Sequence, residues 1–207
     1  MTSRWIVGGG DYAELAAQTW KQVRPDENVV RIDVPQHVNH AFDLSPLDGL
    51  SPSEGTVFVA FDERFGNFKR MELMQAAMKR GFKLEPLVHP SAVVASGAVI
   101  GLNVFVGPQV VIGHGSRVDY NTVLHAGAHV GPECRIKSSC WIEAGVQLGA
   151  RVVLGRHSIV RAGAVVKAGV AVGKGCELGW PRLYEQNLAD HTTFDPRYDE
   201  PILVYGV

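Results

Sequence analysis

His125 and Glu143 are the pair in this 207-residue chain with the clearest chemical meaning. A carboxylate beside an imidazole fixes its tautomer and raises its basicity, as needed to take a proton from an attacking hydroxyl or amine. His129, four residues on, is a second imidazole that could serve instead. Near the amino terminus, Gly8-Gly9-Gly10, Tyr12 and Asp33 form a second constellation. A glycine turn opening a helix lets backbone N–H groups approach a phosphate, and an acid ending the next strand can bind a ribose hydroxyl. Ala13 holds the last place of a Gly-x-Gly-x-x-Gly pattern, so a plain strand-to-helix link is the competing reading. A third group lies between Arg151 and Arg182, where Glu177 is the only acid among six cations. Arg161, Lys167, Lys174 and Arg182 are its candidates for phosphate binding, against the alternative of solvated charges spread over several sides.

What must position these groups is a sixfold recurrence. From Val88 to Leu178 every sixth residue is aliphatic, and the residue four places after each is small or slender, from Ala92 to Cys176. Neither a helix nor a flat strand has that period; six-residue rungs build a parallel β-helix, three rungs to a coil. Both columns face inward, with glycine at the second position expected to make the bend. Fifteen rungs make five coils, about 24 Å tall at the spacing of stacked strands. Residues eighteen apart then stack on successive coils, which brings Gly107, His125, Glu143 and Arg161 into one column. The uncharged run Val93–Gly113 could suggest a membrane span, but its glycines and Pro108 disfavour a helix and the register continues beyond it.

Residues 1 to 86 read differently. Trp5–Gly8 is a short buried strand, and Asp11–Val23 a helix with Tyr12, Leu15, Ala16 and Trp20 inward. Asn28–Val34 and Thr56–Phe61 are further strands, with a helix from Phe65 to Arg80 stopped by Gly81. The fold class is therefore an α/β Rossmann-like domain (1–86) followed by an all-β parallel β-helix (87–180), with a capping extension (181–207). In that extension Arg182–Asp190 is predicted as a helix and Pro201–Tyr205 as a strand over the last coil or a neighbouring subunit. The net charge of −1 gives no basis for nucleic-acid binding, and nothing after Met1 reads as a secretory leader, so a cytoplasmic protein is expected. The three cysteines sit at inward positions, spaced for neither zinc nor redox chemistry, and no metal is predicted.

This order of parts, with the junction Leu87-Val88-His89-Pro90-Ser91-Ala92 and the element Gly179-Trp180-Pro181-Arg182, resembles the sugar O-/N-acyltransferases of the sialic acid O-acetyltransferase type. The resemblance implies a left-handed β-helix and a homotrimer. It also implies acetyl transfer from acetyl-CoA to a sugar, often a nucleotide-linked amino sugar held by the N-terminal domain, with CoA between neighbouring prisms. The family's Gly-x-Gly-Gly-His turn reads Gly8-Gly9-Gly10-Asp11-Tyr12 here. Its general base, the His of a His-Asp-Cys or His-Glu-Cys triplet in the eighth rung, falls on Pro132-Glu133-Cys134, and a second family His falls on Trp141. His125, with Glu143 as orienter, is the substitute this chain offers. Transfer without a base remains open, because positioning alone can supply much of the barrier, and it suits an amine better than a hydroxyl.

Two other readings fit parts of the pattern. One is a γ-carbonic-anhydrase-like zinc enzyme using His89, His125 and His129. His89 and His125 lie two coils apart, about 9.6 Å at the stacking distance, too far to share one metal within a chain. The other is a degenerate hexapeptide protein that kept trimer and pocket but lost its chemistry, as Pro132 and Tyr12 suggest.

Overall fold

The computed structural model describes residues 3–204. The first part is a parallel four-stranded sheet of β1 (Ser3–Gly8), β2 (Asn28–Asp33), β3 (Gly55–Ala60) and β4 (Lys83–Leu84) in the order β2-β1-β3-β4. Strand alternation divides its two faces. Ile6, Phe58 and Ala60 pack with helix α1 (Gly10–Val23), whereas Trp5, Val7, Val57 and Val59 pack with helix α2 (Phe68–Lys79). α1 presents Tyr12, Ala13, Ala16, Ala17 and Trp20 inward, and the small residues let it lie close. Leu15, expected inward, is instead exposed. α2 starts later than expected because Phe65 and Asn67 adopt left-handed backbone angles that no helix accepts.

From Leu87 the chain winds into a left-handed prism of two-residue strands on three faces. Face one begins with Leu87–Val88 and repeats at 105, 123, 141, 159 and 177; face two begins with Val93–Val94, and face three with Val99–Ile100. Neighbouring coils pair in parallel at a shift of eighteen, as in Val123 with Phe105 and Trp141. From Val104 onward the aliphatic and small columns form one continuous buried core, against which Val88, Ala92, Ala98 and Ile100 of the first coil are partly buried. The inward cysteines are free, and burial raises their thiol pKa values, that of Cys140 to about 12. Cys134 and Cys140 donate to the carbonyls of Gly149 and Gly155 on the next coil.

The bend lies elsewhere than expected. Every sixth residue from Gly97 to Gly175 has a positive φ, at the fourth position of the rung rather than the second, and it includes Asn103, Asn121 and His157. Glycine at the second position serves close approach instead: a Cβ on Gly113 would come within 2.5 Å of the Pro132 nitrogen one coil on.

Past Leu178 the predicted helix at 182–190 is replaced by a further coil. Leu183–Tyr184 pairs with Val165–Val166, Leu188 bridges to Val172, and Thr192–Phe194 runs beside Glu177–Leu178. Tyr184 and Phe194 continue the inner core. The last two rungs of this coil pair at a shift of sixteen, which breaks the spacing that reveals the others. Ile202–Leu203 turns back antiparallel on Thr192–Thr193; Tyr205, placed in the expected strand, lies outside the described residues. No helix among the described residues is long and apolar enough to cross a membrane.

Tyr184 tests this sixth coil. It is 1% exposed, and its hydroxyl donates to the Trp180 carbonyl at 2.9 Å. Tyr184→Ala should cost about 3 kcal/mol in denaturant unfolding, as for other buried aromatics. A surface helix in its place would predict a change under about 0.5 kcal/mol.

Candidate functional site

The α/β domain is seated on face one of the prism. Outward positions on that face, Leu87, Phe105, Val123, Trp141 and Ile159, form an apolar stripe that packs with Tyr12, Ala13, Ala16, Trp20 and Phe58. Polar pairing fixes the register. β4 pairs only with Thr56 and Val57, so it leaves the backbone of Val59 open on that edge. The Asn103 side chain closes it, accepting from Val59 N–H at 2.7 Å and donating to Val59 C=O at 3.0 Å. Its Nδ2 also donates to Asn121 Oδ1, and Asn121 Nδ2 to Ser139 Oγ, one coil at a time. Arg70 of α2 adds a second tie: fully buried, it donates to the Asn121 carbonyl at 3.0 Å and lies over the Trp141 ring. Burial lowers its pKa to about 10.

This seating brings the glycine turn, Tyr12 and the His125 column to one prism edge, where face one passes into face two. Tyr12, on the first turn of α1, packs its ring against Phe105, Trp141 and His125. His125 lies edge-on to Trp141 at 4.5 Å, and its Nε2, like the Tyr12 hydroxyl, is buried without a hydrogen-bond partner among the described residues. Burial depresses the imidazole pKa to about 4; Glu143 pulls it up and Arg70 pushes it further down, but neither outweighs desolvation. His125 is therefore a neutral imidazole at physiological pH.

Glu143 occupies the predicted position but is not held by His125. It accepts from Arg161 Nη1 at 2.7 Å and from the Ala162 N–H at 2.8 Å. Arg161 also donates to Glu63 at 2.9 Å and to Glu177 at 2.8 Å, one guanidinium for three carboxylates. That corrects two expectations. Glu143 orients Arg161 rather than the imidazole, and Arg161 has no free charge for a phosphate. Glu63, which sequence reasoning missed, joins the α/β domain to this edge through the same cluster.

Around the glycine turn, Gly8 is structural: a Cβ there would fall 1.7 Å from the Ala60 carbonyl oxygen, and Gly9 N–H donates to that same oxygen. Gly9 and Gly10 face open space, with nothing within 4 Å of a built Cβ, at the positive end of the fourteen-residue α1. An anionic group can approach there. Asp33 ends β2 beside Gly8, as predicted, with its carboxylate paired to Arg31 at 2.7 Å. His129 lies on face two, exposed, with Nδ1 3.2 Å from Gln147 Oε1.

The four candidate cations do not converge. Arg161 and Arg182 lie where face one passes into two, Lys167 where two passes into three, and Lys174 where three passes into one. Lys167 pairs with Glu185, Lys174 approaches Asp190 at 3.7 Å, and Arg182 sits 5.1 Å from each of the Trp180, Tyr184 and Phe194 rings. The zinc reading fares no better, because His89 is bonded to Gln22 and Ser91, His125 lies under Tyr12, and His129 faces away. Among the described residues no three His, Cys, Asp or Glu side chains are grouped to hold a metal.

Two measurements check this geometry. His125 should titrate near pH 4 by proton NMR, and Tyr12→Ala should move it toward the ordinary value near 6.5. Because the folded state disfavours the proton, this group's contribution to stability is full above about pH 6.5 and is lost as pH falls toward 4. Arg161→Gln should leave three carboxylates facing one another. It should destabilise the fold by about 1–3 kcal/mol in denaturant unfolding at neutral pH.

Comparison with known proteins places these features. Residues 133–168 match the bacterial transferase hexapeptide (six repeats) family model. PerB from Caulobacter crescentus, solved with CoA and GDP-perosamine, is 27% identical over 93% of both chains, with a TM-score of 0.82. A mutant form of perosamine N-acetyltransferase from that organism, with the same ligands, gives 0.80 at 27% identity and the same coverage. The acetyltransferase domain of PglB from Neisseria gonorrhoeae, in complex with acetyl coenzyme A, is 24% identical over 98% of this chain and 100% of that one, with a TM-score of 0.74, a likeness of fold. No curated protein sequence matches. The chain thus carries the hexapeptide repeat and is similar, over 93% of its length, to PerB and perosamine N-acetyltransferase.

Proposed function

We propose that the chain transfers an acetyl group from acetyl-CoA to the amine of a nucleotide-linked sugar. The observation that carries this reading is the match to the CoA and GDP-perosamine complex of PerB over 93% of both chains, which takes in the α/β domain as well as the prism. The open turn at Gly9 and Gly10 lets the nucleotide phosphates reach the backbone N–H groups that open α1, from Gly10 on, with Asp33 beside it for a ribose hydroxyl. The sugar then points to the edge that carries His125 and Glu143. The reading makes the working form a homotrimer with acetyl-CoA between prisms, and it puts the reaction in the cytoplasm.

An amine is favoured over a hydroxyl by the state of the candidate bases. A hydroxyl must lose its proton during attack to a base whose pKa lies near the working pH. Pro132 stands where the resembled family has that base, and the conjugate acid of His125 is lowered to about 4. An amine attacks the thioester carbonyl as its free base, the C–N bond forms, and the thiolate of CoA leaves. The surplus ammonium proton passes to His125, to His129 or to water. A prism N–H stabilises the oxyanion, and positioning supplies much of the remaining barrier.

A non-catalytic binding protein is the second reading, favoured by Pro132 and by the capture of Glu143 by Arg161. The assay is release of free CoA thiol from acetyl-CoA with GDP-perosamine and other nucleotide-linked amino sugars, with product mass as the check. Stoichiometric acetylation of the amine is expected; binding of both ligands without transfer would establish the second reading. His125→Ala should lower kcat about tenfold or more while leaving the pH profile above pH 5 unchanged, because the imidazole is already neutral there. Full turnover in that variant would remove His125 from the mechanism.

A further inference from the structure

A second concave site lies on the opposite edge of face one, where face three passes into it. Loop 65–68 of the α/β domain, the upper coils and the C-terminal hairpin enclose a cavity of about 710 Å³, a size that fits a drug-sized or nucleotide-sized ligand. Its floor is a ready-made stacking platform: the Phe68 ring lies 4.2 Å from the His157 imidazole with the planes 13° apart, and Phe65 stands half-exposed beside it. His157 Nδ1 is buried without a hydrogen-bond partner among the described residues. Arg156 and Lys174 supply positive charge at the rim, and Arg156 forms no ion pair among the described residues. His191 from the sixth coil leans over Gly175, where a Cβ would come within 2.8 Å of its ring. The one acid in the lining, Glu177, has its carboxylate drawn to Arg161 at 2.8 Å.

Flat aromatic surfaces and two cations on one wall match a planar heterocycle that carries phosphate. We propose that this cavity binds a nucleoside phosphate through Phe68, His157, Arg156 and Lys174, separately from the Gly9–Gly10 turn. Its residues lie on another edge of the prism from His125, so the site rests on the acetyl-transfer reading only where its occupant is the CoA thioester. The ligand has two possible sources, the 3′-phosphoadenosine end of a CoA thioester or a free nucleoside diphosphate.

Isothermal titration of the full-length protein with 3′,5′-ADP, ADP and GDP tests the site. Saturable binding is expected, weakened at least tenfold by Phe68→Ala and by Arg156→Glu and unchanged by His125→Ala. Arg156→Glu alters an exposed side chain, so its folding can be verified by an unchanged unfolding midpoint. A preference for 3′,5′-ADP assigns the CoA end, and equal or tighter ADP or GDP binding assigns a free nucleotide. No saturable binding at millimolar concentration, or binding that both variants leave intact, overturns the proposal, whatever the acetyl-transfer assay returns.

Discussion

The side-chain amide of Asn103, paired with both backbone groups of Val59, is the interaction on which the arrangement rests. A strand edge left open by a two-residue neighbour would bury an unpaired N–H and C=O, each costing about 1–3 kcal/mol. The prism supplies the missing partner from a turn residue, and the asparagine sits there because the fourth rung position requires a left-handed backbone that Asn tolerates. One residue type therefore makes the turn and the joint. The apolar stripe of face one contributes the burial, but a stripe alone could slide by a coil. The Asn103–Asn121–Ser139 chain and the Arg70 tie to Asn121 set which coil meets which strand.

With the joint fixed, the electrostatics of the His125 edge follow from what is dry and what is paired. Tyr12, Phe105 and Trp141 exclude water from the imidazole, and desolvation outweighs the nearby carboxylate. Along the same edge Arg161 gathers Glu63, Glu143 and Glu177, and the upward pull of Glu143 and Glu63 on His125 does not offset its desolvation. Such an edge is suited to holding a neutral nucleophile rather than to generating an anionic one. That ties the acceptor class to the packing of Tyr12, where the resembled family carries a histidine.

Much of this was legible before any coordinates. The sixfold period fixed the prism, the eighteen-residue column placed His125, Glu143 and Arg161 on one edge, and the apolar run at 105, 123, 141 and 159 marks a covered face to anyone who compares faces. The sixth coil escaped because its later rungs pair at a shift of sixteen. The bend position escaped because second-position glycines are frequent for a different reason, contact with the coil above. The pairing choices of Glu143 and Arg161 could not be read from spacing, since the deciding partner, Glu63, lies in a loop far away in sequence. Tyr12 was assigned to substrate by position in a motif, whereas its surroundings place it in the interface between the two parts.

The central claim is that seating the α/β domain on face one assembles a single acceptor site from the glycine turn and the His125 edge. A crystal structure of the protein with GDP-perosamine and CoA tests it most directly. The account predicts nucleotide phosphates at the N–H groups that open α1, from Gly10 on, and the sugar amine directed toward the His125 edge. Diphosphate bound away from the turn, or an amine directed to another edge of the prism, would contradict it.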